Sequence, residues 1–290
     1  MNISAIIESL RPKQWHKNLF IFAPLIFSQN VTEWPLLQRS LLAFAAFCLL
    51  TGAVYIFNDL HDLEEDRHHP LKSSRPLASG RLKISQAWSA FILISAGSLA
   101  FSYALSPKFF TAALVYFVMQ LAYSLGLKNI VILDLFIIAA GFLLRVIAGG
   151  LVIDVSLSPW LLICTFLLAL FLAMGKRRHE LVLLEDDAPA HRPILKEYSP
   201  LLLDQMIAVV TASIVIAYCL YTISDETVAK FGTTNLIFTA PFVIYGIFRY
   251  LYLVHQKNLG GSPEALIIKD KPLLLALILW IVVSAIILYT

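Results

Sequence analysis

The stretch 55–80, YIFNDLHDLEEDRHHPLKSSRPLASG, passes from the end of an apolar helix directly into dense charge. Four residues with oxygen-bearing side chains follow one another here at steps of one, three and four: Asn58, Asp59, Asp62 and Asp66. At about 100° per residue, these positions lie within an arc of roughly 100° on one face of an α-helix. Carboxylates at this density repel one another unless a cation lies between them. The stretch therefore predicts a cation-binding acidic face at the end of a membrane helix.

Basic residues follow the acidic face within a few turns, namely Lys72, Arg75 and Arg81. Magnesium takes oxygen ligands and usually joins one or two carboxylates to a phosphate. A diphosphate leaving group needs its developing charge neutralised by a metal ion and by arginine or lysine. The acidic and basic side chains together predict a magnesium-bridged phosphate site. The alternative is a solvated, charged loop that only anchors the topology, and such a loop would not need three aspartates on one face.

The sequence as a whole is far more apolar than that of a soluble protein. Of its 290 residues, 59% are hydrophobic and 14% are charged, and the mean hydropathy is +0.79. Apolar runs of nearly the ~20 residues that a bilayer-spanning helix needs recur along the whole length. The three cysteines lie inside such runs without paired spacing, which indicates neither a disulfide framework nor a thiolate metal site. We therefore predict an all-α integral membrane protein.

About nine transmembrane spans are predicted from the apolar windows. They cover residues 19–33, 36–57, 86–105, 109–125, 130–150, 159–175, 205–223, 235–254 and 273–289. The first is the weakest because it is short and Pro24 interrupts it, so we expect it to tilt or kink. Residues 1–18 show no cleavable signal sequence, and the helical spacing of their apolar residues predicts an interfacial amphipathic helix.

The basic residues are distributed unevenly. Most of the 22 lysines and arginines fall in the N-terminal segment and in every second loop. Because basic residues are retained in the cytoplasm, this asymmetry places the N-terminus there and, with nine spans, the C-terminus outside. The two largest inner loops, 58–85 and 176–204, are then cytoplasmic. We expect a multi-pass protein of the cytoplasmic (inner) membrane whose active site faces the cytoplasm, and no nucleic-acid partner.

A second group of candidate residues lies in AYSLGLKNIVILD, 122–134, at the inner turn between the fourth and fifth predicted spans. Lys128 can bind a phosphate, and Tyr123 can donate a hydrogen bond. Asp134 enters the fifth span by about one turn, where a carboxylate without a partner is costly. Arg145 lies roughly 16 Å deeper on nearly the same face. It either lines a cavity and meets an anionic headgroup, or it snorkels or bonds backbone carbonyls.

A third group follows the sixth predicted span in GKRRHEL, 175–181. Lys176 and Glu180 are four residues apart, so an internal salt bridge between them is one interpretation. The other interpretation makes this stretch a second wall of the site, on which Lys176 and Arg177 bind phosphates. The acidic residues 185–187 that follow are expected to be solvated.

Two weaker signals complete the candidate site. Lys17, in RPKQWHKN at 11–18, lies at the inner interface, where basic residues usually serve as anchors, and is kept as a phosphate-binding candidate. The stretches 198–199, 260–261 and 269–270 are candidates for a cap or lid over the site. None of these signals is specific by itself.

At these motifs the chain resembles the UbiA superfamily of membrane transferases. The resemblance is carried by NDLHDLEED at 58–66, read as N-D-x-x-D-x-x-x-D, by Lys72 and by RPLASG at 75–80, and it extends over nearly the whole chain. Several further stretches look most like the decaprenyl-phosphate phosphoribosyltransferase branch: LRPKQWHKNLFIFAPL, YSLGLKNIVILD, LLRVIAGG, GKRRHEL, EYSPLLLDQ and GGSPEALIIKDKP. The resemblance implies a single polytopic transferase domain, 1–290, with its helices around a central cavity open to the cytoplasm and laterally to lipid.

The same resemblance implies an activity: Mg²⁺-dependent transfer of 5-phosphoribose from phosphoribosyl diphosphate to a polyprenyl phosphate, with release of diphosphate. It gives the metal-binding and catalytic roles to Asn58, Asp59, Asp62 and Asp66. It implies that the phosphates of the donor are bound by Lys72, Arg75, Lys128, Lys176 and Arg177. Prenyl-transferring relatives commonly carry a second Asp-rich motif after the sixth span. Here that loop begins with Lys176, Arg177 and Glu180 instead, and this departure favours the phosphoribosyl branch.

Two other functions stay open at this point. A UbiA-type prenyltransferase would use the same site to move a polyprenyl group from its diphosphate to an aromatic or other small acceptor. A cation-coupled transporter would place its ionisable residues near the membrane midplane, where only Asp134 and Arg145 are expected. The sequence does not specify the prenyl chain length, the number of metal ions or whether the protein is a homo-oligomer.

Overall fold

The computed structural model describes residues 2–68, 72–184 and 193–289, and within these residues the secondary structure is entirely helical. The α-helices are α1 (Ile3–Ser9), α2 (Ala23–Phe27), α3 (Trp34–His61), α4 (Leu63–His68), α5 (Ile84–Leu105), α6 (Pro107–Leu125), α7 (Leu133–Ile153), α8 (Pro159–Leu184), α9 (Pro200–Ile223), α10 (Asp225–Phe231), α11 (Ala240–Gln256), α12 (Pro263–Lys269) and α13 (Lys271–Tyr289). Short 3₁₀-helices cover Pro12–Phe22, Leu127–Asn129, Pro193–Glu197 and Asn235–Thr239.

Eight helices of the described chain are long and apolar enough to cross a membrane. They are α3, α5, α6, α7, α8, α9, α13, and α11 together with the 3₁₀-turn before it. Each overlaps one of the last eight predicted spans. The prediction of an all-α, multi-pass membrane protein is therefore confirmed.

The first predicted span, 19–33, is not a helix of this kind, so a count of nine is not confirmed. This part of the chain holds the end of the 3₁₀-helix Pro12–Phe22 and then the five-residue helix α2. Pro24 lies in the first turn of α2, where proline is tolerated because it needs no hydrogen bond to the preceding turn. Gln29, with φ 60°, then turns the chain away from helical geometry.

The N-terminal helix is also shorter than the predicted 1–18. It ends at Ser9, because Arg11 adopts the left-handed conformation with φ 51° and Pro12 follows it. A residue before proline is disfavoured in the α region, so the helix cannot continue through this dipeptide. Residues 11–18 lie in and before the 3₁₀-helix instead.

The chain divides into two compact units, Met1–Leu157 and Ser158–Thr290. The first unit contains four of the spanning helices, α3, α5, α6 and α7, and the second contains the other four. The interpretation of 1–290 as one transferase domain stays a prediction.

Helix α3 is the centre of the first unit. It packs against α5, α6, α7 and the 3₁₀-helix, and Phe47 and Phe109 are fully buried between them beside Tyr116. The 3₁₀-helix approaches α7 closely, because a Cβ atom on Gly149 would lie 2.1 Å from the carbonyl oxygen of Ile21. Glycine at this position is what allows the two backbones to touch.

The end of α3 carries the acidic motif beyond the apolar part of the helix. With 28 residues, α3 is longer than needed for the ~30 Å hydrocarbon core. It ends at His61, Asp62 is its C-cap, and α4 begins at Leu63. The amide of Asp62 donates to the carbonyl of Asn58 at 2.9 Å, and the amide of Asp66 donates to the carbonyl of Asp62 at 2.8 Å, so i,i+4 hydrogen bonds continue across the junction.

In the second unit, α8 packs against α9, and α11 packs against α13. A buried polar chain joins three of its elements, since Trp280 Nε1 donates to Tyr218 Oη at 2.7 Å and Tyr218 Oη lies 2.6 Å from Thr239 Oγ1. Polar atoms placed inside the membrane in this way have their hydrogen bonds satisfied by one another.

Candidate active site

The predicted acidic face exists at the α3–α4 junction of the first unit. Asp59 and Asp66 are nearly inaccessible, with 2% and 1% of their surface exposed. Asn58 Nδ2 donates to Asp62 Oδ2 at 3.0 Å, which orients the third carboxylate. Buried carboxylates are tolerated only with counter-charges or a metal ion nearby, so the surroundings of these residues decide what the site can bind.

Arg75 joins the two buried carboxylates. Its Nη1 atom donates to Asp59 Oδ1 at 3.1 Å and to Asp66 Oδ2 at 2.5 Å. The loop after α4 makes this possible, because turns from Lys72 to Arg75 and from Arg75 to Ser79 fold the chain back towards α3. Lys72 Nζ lies 3.8 Å from Asp66 Oδ1. The two basic residues predicted from the sequence therefore contact the predicted acidic face.

Lys128, from the second group of candidate residues, contacts the acidic face. Its Nζ atom lies 2.5 Å from Asp62 Oδ1, and both side chains are about one-sixth exposed. The 3₁₀-turn Leu127–Asn129 between α6 and α7 positions it. Tyr123 is half-buried on α6 in the preceding turn, and Asp134 is fully buried at the start of α7.

Arg11 also belongs to the site, although the sequence did not predict it. Its Nη2 atom donates to Asp59 Oδ1 at 2.5 Å, and its guanidinium lies 4.6 Å from the centre of the Tyr55 ring. The two partners in this ion pair are 48 residues apart. The contact depends on the left-handed backbone of Arg11 before Pro12. The sequence pattern shows neither this conformation nor the direction in which it points the side chain.

These residues form one acid–base cluster with more positive than negative charge. Its members are Arg11, Asn58, Asp59, Asp62, Asp66, Lys72, Arg75 and Lys128. Four side chains are cationic and three are carboxylates, so the cluster carries one net positive charge. A binding site with this balance favours an anion rather than a metal ion alone.

Two carboxylate oxygens of the cluster nevertheless suit a metal ion. Asp59 Oδ2 and Asp66 Oδ1 are buried and accept no hydrogen bond from the described residues. A buried acceptor without a donor is costly, and a cation at this point would remove the cost. Within the described ranges, no three His, Cys, Asp or Glu side chains are placed to hold a metal ion. Magnesium commonly takes one or two protein carboxylates and completes its shell with phosphate and water, so Asp59 and Asp66 fit that role.

Arg145 lies in a different, fully buried network of the first unit. It donates from Nε to Asn18 Oδ1 at 2.8 Å, from Nη1 to the carbonyl of Gly141 at 2.7 Å, and from Nη2 to Tyr116 Oη at 3.0 Å. A backbone carbonyl was one of its two predicted partners. Asn18 in turn donates to Thr51 Oγ1 at 3.2 Å. The network fixes the 3₁₀-helix that carries the half-buried Lys17.

The third group lies on α8 in the second unit. Glu180 accepts from Arg177 Nη1 at 2.9 Å, three residues before it. An i,i+3 spacing brings side chains together on a helix, as does the i,i+4 spacing of Lys176 and Glu180. Arg177 is 3% exposed and Lys176 is exposed, and the interpretation of this stretch as a phosphate-binding wall stays a prediction. Residues 185–187 lie outside the described part of the chain.

The second unit contains ion pairs that the sequence did not predict. Arg178 binds both carboxylate oxygens of Asp204, at 2.5 and 3.3 Å, and His255 Nε2 lies 3.1 Å from the same carboxylate. Arg249 binds both oxygens of Asp270, at 3.1 and 2.9 Å. Their partners are 21 to 51 residues apart in sequence, so no local spacing indicated them.

The predicted lid stretch 260–261 packs against α8. The amide of Gly260 donates to His179 Nδ1 at 3.2 Å. A cavity of about 390 Å³ lies beside this contact, with Ser262, Lys269 and Asp270 among its lining residues. The stretch therefore belongs to a recess of the second unit, and its role as a lid stays a prediction.

Comparison with known proteins identifies related sequences over almost the entire length. The sequence model of the UbiA prenyltransferase family matches residues 19–269. The decaprenyl-phosphate phosphoribosyltransferase of Mycolicibacterium smegmatis is 33% identical over 96% of this chain and 91% of its own. The enzyme of the same name from Mycobacterium tuberculosis is 32% identical over 96% and 92%.

Solved structures show the same fold. A UbiA homolog from Archaeoglobus fulgidus, determined with GPP and Mg²⁺, superimposes with a TM-score of 0.74 over 99% of this chain and 100% of its own. The two sequences are 21% identical, so this likeness concerns the fold alone. It agrees with the helical architecture described above.

Proposed function

The chain belongs to the UbiA prenyltransferase family, and we propose that it transfers 5-phosphoribose from phosphoribosyl diphosphate to a polyprenyl phosphate. Two relatives named decaprenyl-phosphate phosphoribosyltransferase align with nearly the full chain at 32 to 33% identity. The observation within the molecule that supports the proposal best is the acid–base cluster. It combines buried carboxylate oxygens that lack a donor with a net excess of arginine and lysine.

This combination suits a donor that carries several phosphates. The carboxylates of Asp59 and Asp66 would hold magnesium, which neutralises a diphosphate as it leaves. Lys72, Arg75 and Lys128 would bind phosphate oxygens that the metal ion does not reach. We assign further substrate contacts, as part of the same proposal, to Lys17, Tyr123 and Asp134 of the first unit. Arg145 is not included, because each of its three guanidinium nitrogens donates within the buried network. For Lys176, Arg177 and Glu180 of the second unit, phosphate binding stays a prediction from the sequence.

The reaction needs charge neutralisation more than proton transfer. An oxygen of the acceptor phosphate forms a bond to the anomeric carbon of the ribose. The bond from that carbon to the diphosphate oxygen breaks, and its electron pair leaves with the diphosphate. Because a phosphate acceptor is already an anion, no strong general base is required. Arg75, which contacts both Asp59 and Asp66, is placed to take up charge as the diphosphate departs.

The proposal includes a location. The excess of basic residues in the N-terminal segment and in alternate loops supports an inner-membrane protein with a cytoplasmic N-terminus and active site. A soluble, highly charged donor would reach such a site from the cytoplasm, and a lipid-linked acceptor would reach it from the bilayer.

The test uses the purified full-length protein in lipid nanodiscs, with ribose-labelled phosphoribosyl diphosphate, a polyprenyl phosphate and Mg²⁺. We expect labelled lipid to form, and chelation of the metal ion to stop its formation. The alternative is prenyl transfer, which the family name favours. A prenylated product from polyprenyl diphosphate and an aromatic acceptor, with no labelled lipid in the first reaction, would replace our proposal by that alternative.

A further inference from the structure

The contacts of the residues before Arg11 position it at the acid–base cluster. Its neighbour Leu10 is buried against α3, where a Cβ atom on Gly52 would lie 2.7 Å from Leu10 Cδ2. Glu8 on α1 accepts two hydrogen bonds from Arg81, at 2.7 and 2.8 Å, which ties α1 to the loop that carries Arg75. The left-handed backbone at residue 11 then directs the guanidinium towards Asp59.

The way Arg11 binds Asp59 differs from an ordinary structural ion pair. An arginine that only stabilises a carboxylate usually binds both of its oxygens with the two arms of the guanidinium. Here Arg11 and Arg75 converge on the same oxygen, Asp59 Oδ1, at 2.5 and 3.1 Å. The other oxygen, Oδ2, accepts no hydrogen bond from the described residues. The two guanidinium groups thus donate to the same carboxylate oxygen, while the second oxygen of Asp59 has no donor among the described residues.

The two arginines are not equivalent in their other contacts. Arg75 also binds Asp66, whereas the Arg11 side chain contacts Asp59 and the face of the Tyr55 ring. The side chain of Arg11 is 26% exposed, and that of Asp59 is 3% exposed. Arg11 can therefore turn towards an anion arriving from solvent while Arg75 continues to bridge the two carboxylates.

We infer that Arg11 is a diphosphate-binding residue whose guanidinium moves from Asp59 to the donor when metal ion and donor bind. A cation on Asp59 replaces the charge that Arg11 supplies to that carboxylate, and the diphosphate supplies a new acceptor for Arg11. The inference deepens the proposed function, and it concerns the diphosphate group that both phosphoribosyl and polyprenyl donors carry. The N-terminal segment thereby becomes part of the donor site.

The decisive experiment measures binding of inorganic diphosphate, with Mg²⁺, to the full-length protein in nanodiscs. We expect Arg11→Gln to weaken diphosphate binding by about 10- to 100-fold, since a charge-assisted hydrogen bond to the ligand is lost. The matched control is Arg67→Gln, which removes one positive charge from α4. Arg67 pairs with the exposed Glu64 instead of the cluster, and the control should bind diphosphate like the wild type.

Three outcomes would overturn the inference. One is a folded Arg11→Gln protein that binds diphosphate as tightly as the wild type, even if its unfolding temperature is lower, because Arg11 would then be a structural clamp. Another is an equal loss of affinity in Arg67→Gln, because the effect would then be a general one of charge. If Arg11→Gln does not fold, Arg11→Lys replaces it. We expect about 3- to 10-fold weaker binding there, and wild-type affinity would be the third contrary outcome.

The binding assay stays informative if the proposed reaction is wrong. A wild-type protein that makes no labelled lipid, yet loses diphosphate binding in Arg11→Gln, would reject the phosphoribosyl donor and keep the role of Arg11. A protein that makes labelled lipid with an unchanged Michaelis constant for the donor in Arg11→Gln would do the reverse.

Discussion

The charged side chains discussed above are paired differently in the two units of this protein. In the second unit, Arg249 binds both oxygens of Asp270, and Arg178 binds both oxygens of Asp204. In the first unit, Arg75 shares one nitrogen between two carboxylates, and two arginines meet on one oxygen of Asp59. Asp204 and Asp270 therefore have both oxygens bound, whereas the first-unit cluster keeps two buried oxygens, Asp59 Oδ2 and Asp66 Oδ1, that accept no hydrogen bond from the described residues.

We interpret this difference as one between charges that stabilise the fold and charges that could bind a ligand. When an arginine binds both oxygens of a carboxylate, the hydrogen bonds of both groups are largely satisfied. A ligand would have to break these bonds to bind, so it would gain little binding free energy. A cluster with one net positive charge and two buried oxygens lacking donors gains from a metal ion and from an anion together. Completeness of pairing is thus a better guide to function here than the number of charged residues.

Changing one carboxylate in each unit gives the largest expected contrast. Asp66→Asn keeps the shape of the side chain and removes a charge that Arg75 and magnesium would share, so we expect turnover to fall by about 10³-fold. Asp204→Asn breaks a pair in the second unit, and we expect turnover per folded molecule to stay within about threefold of the wild type. The measurement compares the initial rates and the unfolding temperatures of both variants with those of the wild type. Equal losses of turnover would contradict the distinction between the units.

Removing an arginine from a complete pair should change stability and leave substrate binding intact. Arg249→Gln loses both hydrogen bonds to Asp270, and we expect a small fall in the free energy of unfolding because solvent screens this pair. Chemical denaturation in detergent, followed by circular dichroism, measures this change. A raised Michaelis constant for the donor at unchanged stability would instead place this pair in the active site.

The smallest expected effect is a pH dependence of the same pair. The hydrogen bond from Arg249 holds the pKa of Asp270 below its ordinary value of 3.8. A carboxyl group whose pKa is lower in the folded state stabilises the fold above the ordinary pKa, and this contribution is lost as the pH falls through the folded-state pKa. We expect the difference in unfolding temperature between wild type and Asp270→Asn to shrink as the pH falls below about 4. A difference that stays constant from pH 6 to pH 3 would argue against the pair as its cause.

The features set by local sequence were predicted well. Eight spans follow from apolar runs, and the acidic face follows from the helical spacing of Asn58 to Asp66. Arg75 and Lys72 lie close in sequence to the carboxylates they contact, so a short turn was enough to bring them together. Lys128 contacts Asp62 in the structure, and its predicted role in phosphate binding stays a prediction.

The features set by tertiary contacts were not predictable in the same way. Arg11 reaches Asp59 through a left-handed residue and a 3₁₀-helix, and neither has a strong sequence signal. The hydrogen bond from Arg177 to Glu180 was not predicted, because i,i+3 and i,i+4 spacings are both compatible with a helix and the sequence pattern does not show that Arg177 is buried. The first predicted span is not confirmed as a single long helix, because Pro24 and the left-handed Gln29 interrupt the apolar run that hydropathy detects.

The break between α3 and α4 gives the two buried carboxylates separate supports. Asp59 stands on the long apolar helix α3, while Asp66 stands on a separate helix of six residues. The spacing of the two carboxylates therefore depends on the turn at Asp62. We expect substitutions in α4 to shift Asp66 relative to Asp59 while the apolar part of α3 keeps its packing.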